Sequence, residues 1–254
     1  MTTSNPPYAN PWTNKVIKCQ DCGLKKLCFP KNLAAAEIQA LEAIITRSQS
    51  YSKGDCLYHA GDLLTDLIII KSGSAKTERV AETGAAQIVS FHLAGDLLGL
   101  DSLSKRKAVS SVTFLENSCV CVIPYPAFNA LSEAAPQLQE EIISRLCEEI
   151  ANSHNLMLAM NNYTADQRVA VFLQELSCRQ HSRGLSKELL HLSMSRNEIA
   201  SYLGLAPATV SRALSKFERD GFLQVANKHL QITDYQALVN LALACPECAL
   251  AAAT

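Results

Sequence analysis

The chain has 254 residues, 48% of them hydrophobic and 19% charged, with a formal net charge of −1. That length fits one large or two modest domains with a core to bury. The near-zero charge excludes a global positive field, so any affinity for nucleic acid must come from local patches and must fall with salt. The longest apolar runs, such as Leu67 to Ile70, are far too short to span a bilayer, so no membrane partner is expected.

In chain order, residues 1–18 read as a polar, Pro-rich arm without a hydrophobic signal core, which predicts a cytoplasmic protein. Ten cysteines in that setting argue for thiols and metal chemistry rather than a disulfide framework. The first three follow the spacing Cys19-x2-Cys22-x5-Cys28, and the segment closes at Pro30. With one more sulfur, such a trio can wrap a single inorganic centre, because iron–sulfur clusters are held by four thiolates.

An amphipathic helix is predicted from about Leu33 to Ile45, with Leu33, Ile38, Leu41 and Ile45 on one face. From Lys53 to Tyr125 the pattern becomes short β-rich runs punctuated by Gly54-Asp55, Gly61-Asp62, Ser72-Gly73, Gly84 and Gly95-Asp96. It reads as a small antiparallel barrel or jelly roll ended by Pro124 and Pro126. Near its end Cys119 and Cys121 are two residues apart on a predicted strand. Both therefore point to one face, and geometry does not choose between them as a fourth ligand. Cys56, Cys147 and Cys178 read as small buried residues.

A long helix is predicted over 136–161. Ile143, Leu146, Ile150, Met157 and Met160, with Ser153 filling the gap, form an a/d seam over about two and a half heptads. The helix lies either on its own core or along a second copy in a parallel homodimer. Asn161-Asn162 marks a hinge.

Ser193 to Phe217 has helix-turn-helix spacing. Ala200 is small where two helices approach, Gly204 supplies the turn, and Pro207 opens the second helix, where its missing N–H costs nothing. Ile199, Leu203, Leu205, Val210 and Leu214 make the shared core. The second helix presents Ala208, Thr209, Ser211 and Arg212 near its start, where a recognition helix meets base edges. Arg212 can fork onto guanine, Ser211 can read a base edge, and Lys216 and Arg219 are assigned to phosphates. Alternating runs around Ala226 to His229 predict a β-hairpin wing. Cys245-Pro-Glu-Cys248 falls in a predicted tail.

The fold class is thus α+β. The expected parts are an arm and cysteine segment (1–30), a β-roll (31–135), a dimerisation helix (136–162), a winged helix-turn-helix (163–240) and a tail (241–254). This order resembles the CRP/FNR family of bacterial transcription regulators, most closely its FNR branch. The likeness rests on Cys19-Gln20-Asp21-Cys22 with Cys28, on Phe91 to Leu97 and on Cys121-Val122-Ile123-Pro124. It rests further on Asn197 to Leu205 and on Val210-Ser211-Arg212. The resemblance implies an oxygen-labile [4Fe–4S] cluster, one per subunit, on Cys19, Cys22, Cys28 and Cys121, with Cys119 in reserve. It further implies a homodimer promoted by that cluster and a double-stranded operator of inverted TTGAT half-sites about one DNA turn apart. RNA polymerase would be contacted through a loop near Glu78 to Ala86 on the roll.

Two positions depart from the FNR pattern. Ser153 stands where that branch typically has an aspartate whose repulsion holds cluster-free subunits apart, so easier dimerisation without a cluster is expected. Ala208 stands where the branch has a glutamate that reads cytosine. This predicts a retained guanine preference through Arg212, with selection relaxed at the glutamate-read pair. The CRP branch clasps cyclic AMP with an Arg-Ser or Arg-Thr pair. Here the stretch is Lys107-Ala108-Val109-Ser110-Ser111, so no cyclic nucleotide is expected. A regulator whose cysteines hold zinc or sense thiol oxidation is the alternative. An iron–sulfur electron carrier is more remote, because no dinucleotide-binding glycine motif and no catalytic Ser-His-Asp or metal-His set is visible.

Overall fold

The computed structural model describes residues 35–45 and 47–242. Cys19, Cys22, Cys28, Cys245 and Cys248 lie outside them. The chain divides into two compact units. One draws on residues up to Lys76 and on Phe91–Glu141; the other draws on Thr77–Ser90 and the chain from Ile142 onward.

The first unit opens with helix α1 (Ala35–Ile44), in which Leu41 is buried. The expected β-roll follows, starting earlier than its turn residues suggested. Its strands are β1 (Arg47–Tyr51), β2 (Cys56–Tyr58), β3 (Asp66–Ser72), β4 (Ser74–Val80), β5 (Ala86–Leu93), β6 (Leu97–Leu98), β7 (Ser111–Phe114) and β8 (Ser118–Pro124). They form two four-stranded sheets, ordered β1-β8-β3-β6 and β2-β7-β4-β5. Ile68, Ile70, Leu98, Val112, Phe114, Val120 and Val122 pack between them with Tyr58 and Leu64. Tyr51 stacks on Phe114 with ring centroids 4.5 Å apart. Gly73 links β3 to β4 at φ +86°, where an added Cβ would collide with Ser118 Oγ and come within 2.8 Å of the Asn117 carbonyl. Only glycine fits that corner.

Pro124 and Pro126 end the roll, but the chain does not wait until residue 136 to become helical. Helix α2 (Tyr125–Ala134) intervenes, with a proline in its first turn where no intrahelical N–H is needed. Helix α3 (Gln137–Asn162) then runs for 26 residues. At its end the amides of Asn161 and Asn162 turn back onto the carbonyls of Met157 and Leu158.

The second unit continues with α4 (Ala165–His181), opened by a capping box in which Thr164 and Gln167 satisfy each other's backbone N–H groups. Next come β9 (Leu189–His191), α5 (Arg196–Leu203), α6 (Pro207–Arg219), β10 (Leu223–Ala226), β11 (His229–Ile232) and α7 (Tyr235–Ala242). The predicted two-stranded wing is a three-stranded sheet, β10-β11-β9, because Leu189–His191 pairs along β11. Its hairpin turns at Asn227, which sits at φ 58° in the left-handed region. Ile88 on β5 belongs to this unit, and its N–H donates to Ser201 Oγ on α5 at 3.1 Å. Cys147, expected to be buried, is exposed on α3, because residue 147 falls outside the stripe that packs.

Candidate nucleic-acid interface

Helices α5 and α6 meet through the predicted residues. Ile199, Ala200, Leu203, Val210 and Leu214 are buried as expected, Leu205 is only half-buried, and Ala213 and Phe217, not among the expected set, are buried with them. The Ser195 hydroxyl accepts from the Glu198 N–H, and the Glu198 carboxylate accepts from the Ser195 N–H at 2.7 Å, which sets where α5 starts. Gly204 ends it at φ 63°. A Cβ there would stand 2.9 Å from Met160 Cε, so the turn is also a close approach to the end of α3.

With that side of α6 occupied, the other is presented outward. Ala208, Ser211, Arg212, Ser215, Lys216 and Arg219 are exposed, and Thr209 is half-buried. They share the face that the sequence assigned to DNA. Arg212 lies back along its own helix, donating from Nε to the Ala208 carbonyl at 3.3 Å and from a terminal nitrogen to Thr209 Oγ1 at 3.2 Å. Lys216 Nζ donates to Asp166 Oδ2 at 2.7 Å. A hollow of about 470 Å3 beside α6 is lined by Asp166 together with Thr209, Arg212, Lys216 and Arg219. Asp166 is a member of this site that the sequence reading missed. The Thr164–Gln167 cap marks the start of its helix, but nothing local says that the helix faces α6.

Along α3 the predicted seam is largely open. Ile143, Ile150 and Met157 are 60%, 55% and 61% exposed in the single chain, Ser153 is exposed, and Leu146 and Met160 are half-buried. Such apolar exposure on one helical stripe marks an interaction surface.

Cys119 and Cys121 stand on β8, where burial alternates: Val120 and Val122 face the core while both cysteines are half-buried on the opposite face. Cys121 pairs with Ser48 on β1 and Ile69 on β3. Among the described residues no group of three or more histidine, cysteine or acidic side chains is placed to hold a metal. Inside the roll, Ser102 and Ser110, both buried, donate their hydroxyls to the two oxygens of Asp101, at 2.9 and 3.1 Å. Ser111 Oγ accepts from the Ala60 N–H.

Residues 167–241 match the Crp-like helix-turn-helix domain and residues 48–135 the cyclic nucleotide-binding domain. The chain is 38% identical over 226 residues to the fumarate and nitrate reduction regulatory protein of Shigella dysenteriae, covering 89% of this chain and 90% of that protein. The chain belongs to the CRP/FNR family of transcription regulators. It is 37% identical over 224 residues to the transcriptional activator protein anr of Pseudomonas aeruginosa, covering 88% and 92% of the two chains. The structure of FixK2 from Bradyrhizobium japonicum superposes with a TM-score of 0.71 at 26% identity, over 78% of this chain and 98% of that one. This CRP/FNR protein is therefore a DNA-binding regulator of the anaerobic type and not an enzyme, which removes the electron-carrier alternative. Among the described residues no helix is long and apolar enough to cross a membrane.

Proposed function

We propose that this regulator responds to oxygen through a [4Fe–4S] cluster, one per subunit, held by Cys19, Cys22, Cys28 and Cys121. In this reading it binds as a homodimer to an inverted TTGAT-like operator and works there with RNA polymerase. The observation that carries the reading is Cys121. Its thiol is turned out of the core on β8, half-buried, in a chain that also has a three-cysteine segment of cluster spacing. Such a partly exposed thiol suits the donor set; Cys119 shares its face and remains the reserve ligand. When bound, the cluster supplies an oxygen-reactive centre. The chain's residues supply the rest.

The open stripe of Ile143, Ile150 and Met157 on α3 provides apolar area for a second copy. Pairing along it would set two α6 helices roughly 34 Å apart, one DNA turn. Arg212 must then leave the Ala208 carbonyl to reach guanine, and Ala208 has no acceptor to offer cytosine. The roll, although of the cyclic nucleotide-binding family, supports no such ligand in this reading. The stretch 107–111 has no arginine before a hydroxyl, and Ser110 already donates to the exposed Asp101 carboxylate, whose charge would repel a cyclic phosphate.

Purification without oxygen should yield a straw-brown protein with broad absorption near 400 nm and about four iron and four acid-labile sulfide atoms per chain, bleaching in air. Serine at position 19, 22, 28 or 121 should abolish the colour, and Cys119→Ser should keep it. A colourless, zinc-loaded chain would favour the zinc alternative. A chain free of iron and sulfide that still regulates its promoters would end the oxygen reading.

A further inference from the structure

Asp166 lies on the outward side of the helix-turn-helix, in the first turn of α4, against a recognition-helix lysine. The two side chains are 31% and 50% exposed. The carboxylate raises the Lys216 ammonium above its ordinary value, first through the hydrogen bond and then through its charge. An ion pair this open to water adds little to folding, since solvent screens it and two side chains lose freedom. Its position matters more. Arg212, Lys216 and Arg219 line the hollow beside α6, and Asp166 cancels one of those three cations.

We propose that Asp166 sets the DNA affinity of this regulator by holding Lys216 away from the phosphate backbone. The inference rests on α6 being the helix that enters DNA. A lysine adds to affinity by replacing a condensed counterion on the duplex, which it cannot do while neutralised by a carboxylate. The carboxylate itself repels a phosphate entering the hollow, within a screening distance of about 8 Å at physiological salt. Phosphate contacts carry no sequence information. Asp166 therefore weakens binding to every duplex alike and leaves discrimination to Thr209, Ser211 and Arg212. The opposite role, aligning Lys216 for its phosphate, predicts effects of opposite sign.

The test is fluorescence anisotropy with the full-length chain, prepared without oxygen. It compares an inverted TTGAT duplex with a scrambled duplex between about 50 and 200 mM salt. Asp166→Asn should tighten both by about five- to ten-fold at the lowest salt, with a gain that shrinks as salt rises. Its plot of log affinity against log salt should steepen by about one. Asp166→Glu, which keeps the charge, should track the wild type. Lys216→Met should cost about two-fold or less in the wild type but five-fold or more beside Asp166→Asn, a non-additivity expected of directly coupled residues. Weaker or unchanged binding by Asp166→Asn, or a gain confined to the operator, would overturn the proposal. A wild type that binds neither duplex would instead remove the DNA reading beneath it.

Discussion

Arg168 joins three segments with one side chain. Its Nε donates to the Tyr163 carbonyl at 3.1 Å, and its terminal nitrogens donate to the carbonyls of Leu203 at 3.3 Å and Met160 at 2.5 Å. Those oxygens belong to the end of α3, the link into α4 and the end of α5. A guanidinium can serve all three because its donors are fixed in a planar fork, whereas an ammonium on a flexible stem cannot. Arg168→Lys should therefore lower the stability of the DNA-binding unit by about 1–3 kcal/mol, read as a drop in its melting midpoint. An unchanged midpoint would show the clasp to be idle. The sequence contained Arg168 without revealing this role, since its Leu203 partner is 35 residues away. Gly204 was legible by contrast, because left-handed backbone is a local demand that only glycine meets cheaply.

At the scale of elements, α4 shows how packing overrides pattern. Glu175 is half-buried as a residue but its carboxyl is enclosed, which raises its pKa while nearby Arg179 pulls it partly back. Tyr202 on α5 and Glu149 on α3 face the same group of charges, and burial together with the two glutamates drives the Tyr202 phenol up. In the unfolded chain Glu175 recovers its ordinary value. The folded state thus holds more protons between the two values, and its stability falls as pH rises through that window. Glu175→Gln should raise the melting midpoint at neutral pH and flatten the decline that sets in as pH rises past the ordinary carboxyl range. A midpoint that falls instead would mean that the charged form is the one the fold needs. The strands of the roll, α3 and the two helices of the turn were readable from periodicity. Helix α2 was hidden by Pro124 and Pro126, which signal an ending and a helix start equally well. Strand β9 was hidden because three residues carry no period of their own.

For the whole molecule, the decisive surface is the open stripe on α3. Ser153 sits within it, exposed and uncharged. Facing aspartates at that position would repel by on the order of 1–4 kcal/mol, enough to shift a dimer equilibrium ten-fold or more. Cluster-free wild-type protein should therefore sediment at micromolar concentration with a substantial dimer fraction, and Ser153→Asp should move it to monomer. A wild type that is wholly monomeric would show that the serine confers no such tolerance.

The linear chain by itself determined the order of parts: a cysteine segment, a roll, a heptad helix and a helix-turn-helix. Each of these is written in local spacing, whether of thiols, of turn residues or of apolar periods of two and three to four. Folding alone decided that Asp166 meets Lys216, that Met160 rests against Gly204 and that two serines close around Asp101. Contacts of that kind depend on which faces two separate elements turn toward each other. That choice is made by burying the whole core at once, so no short window of residues encodes it.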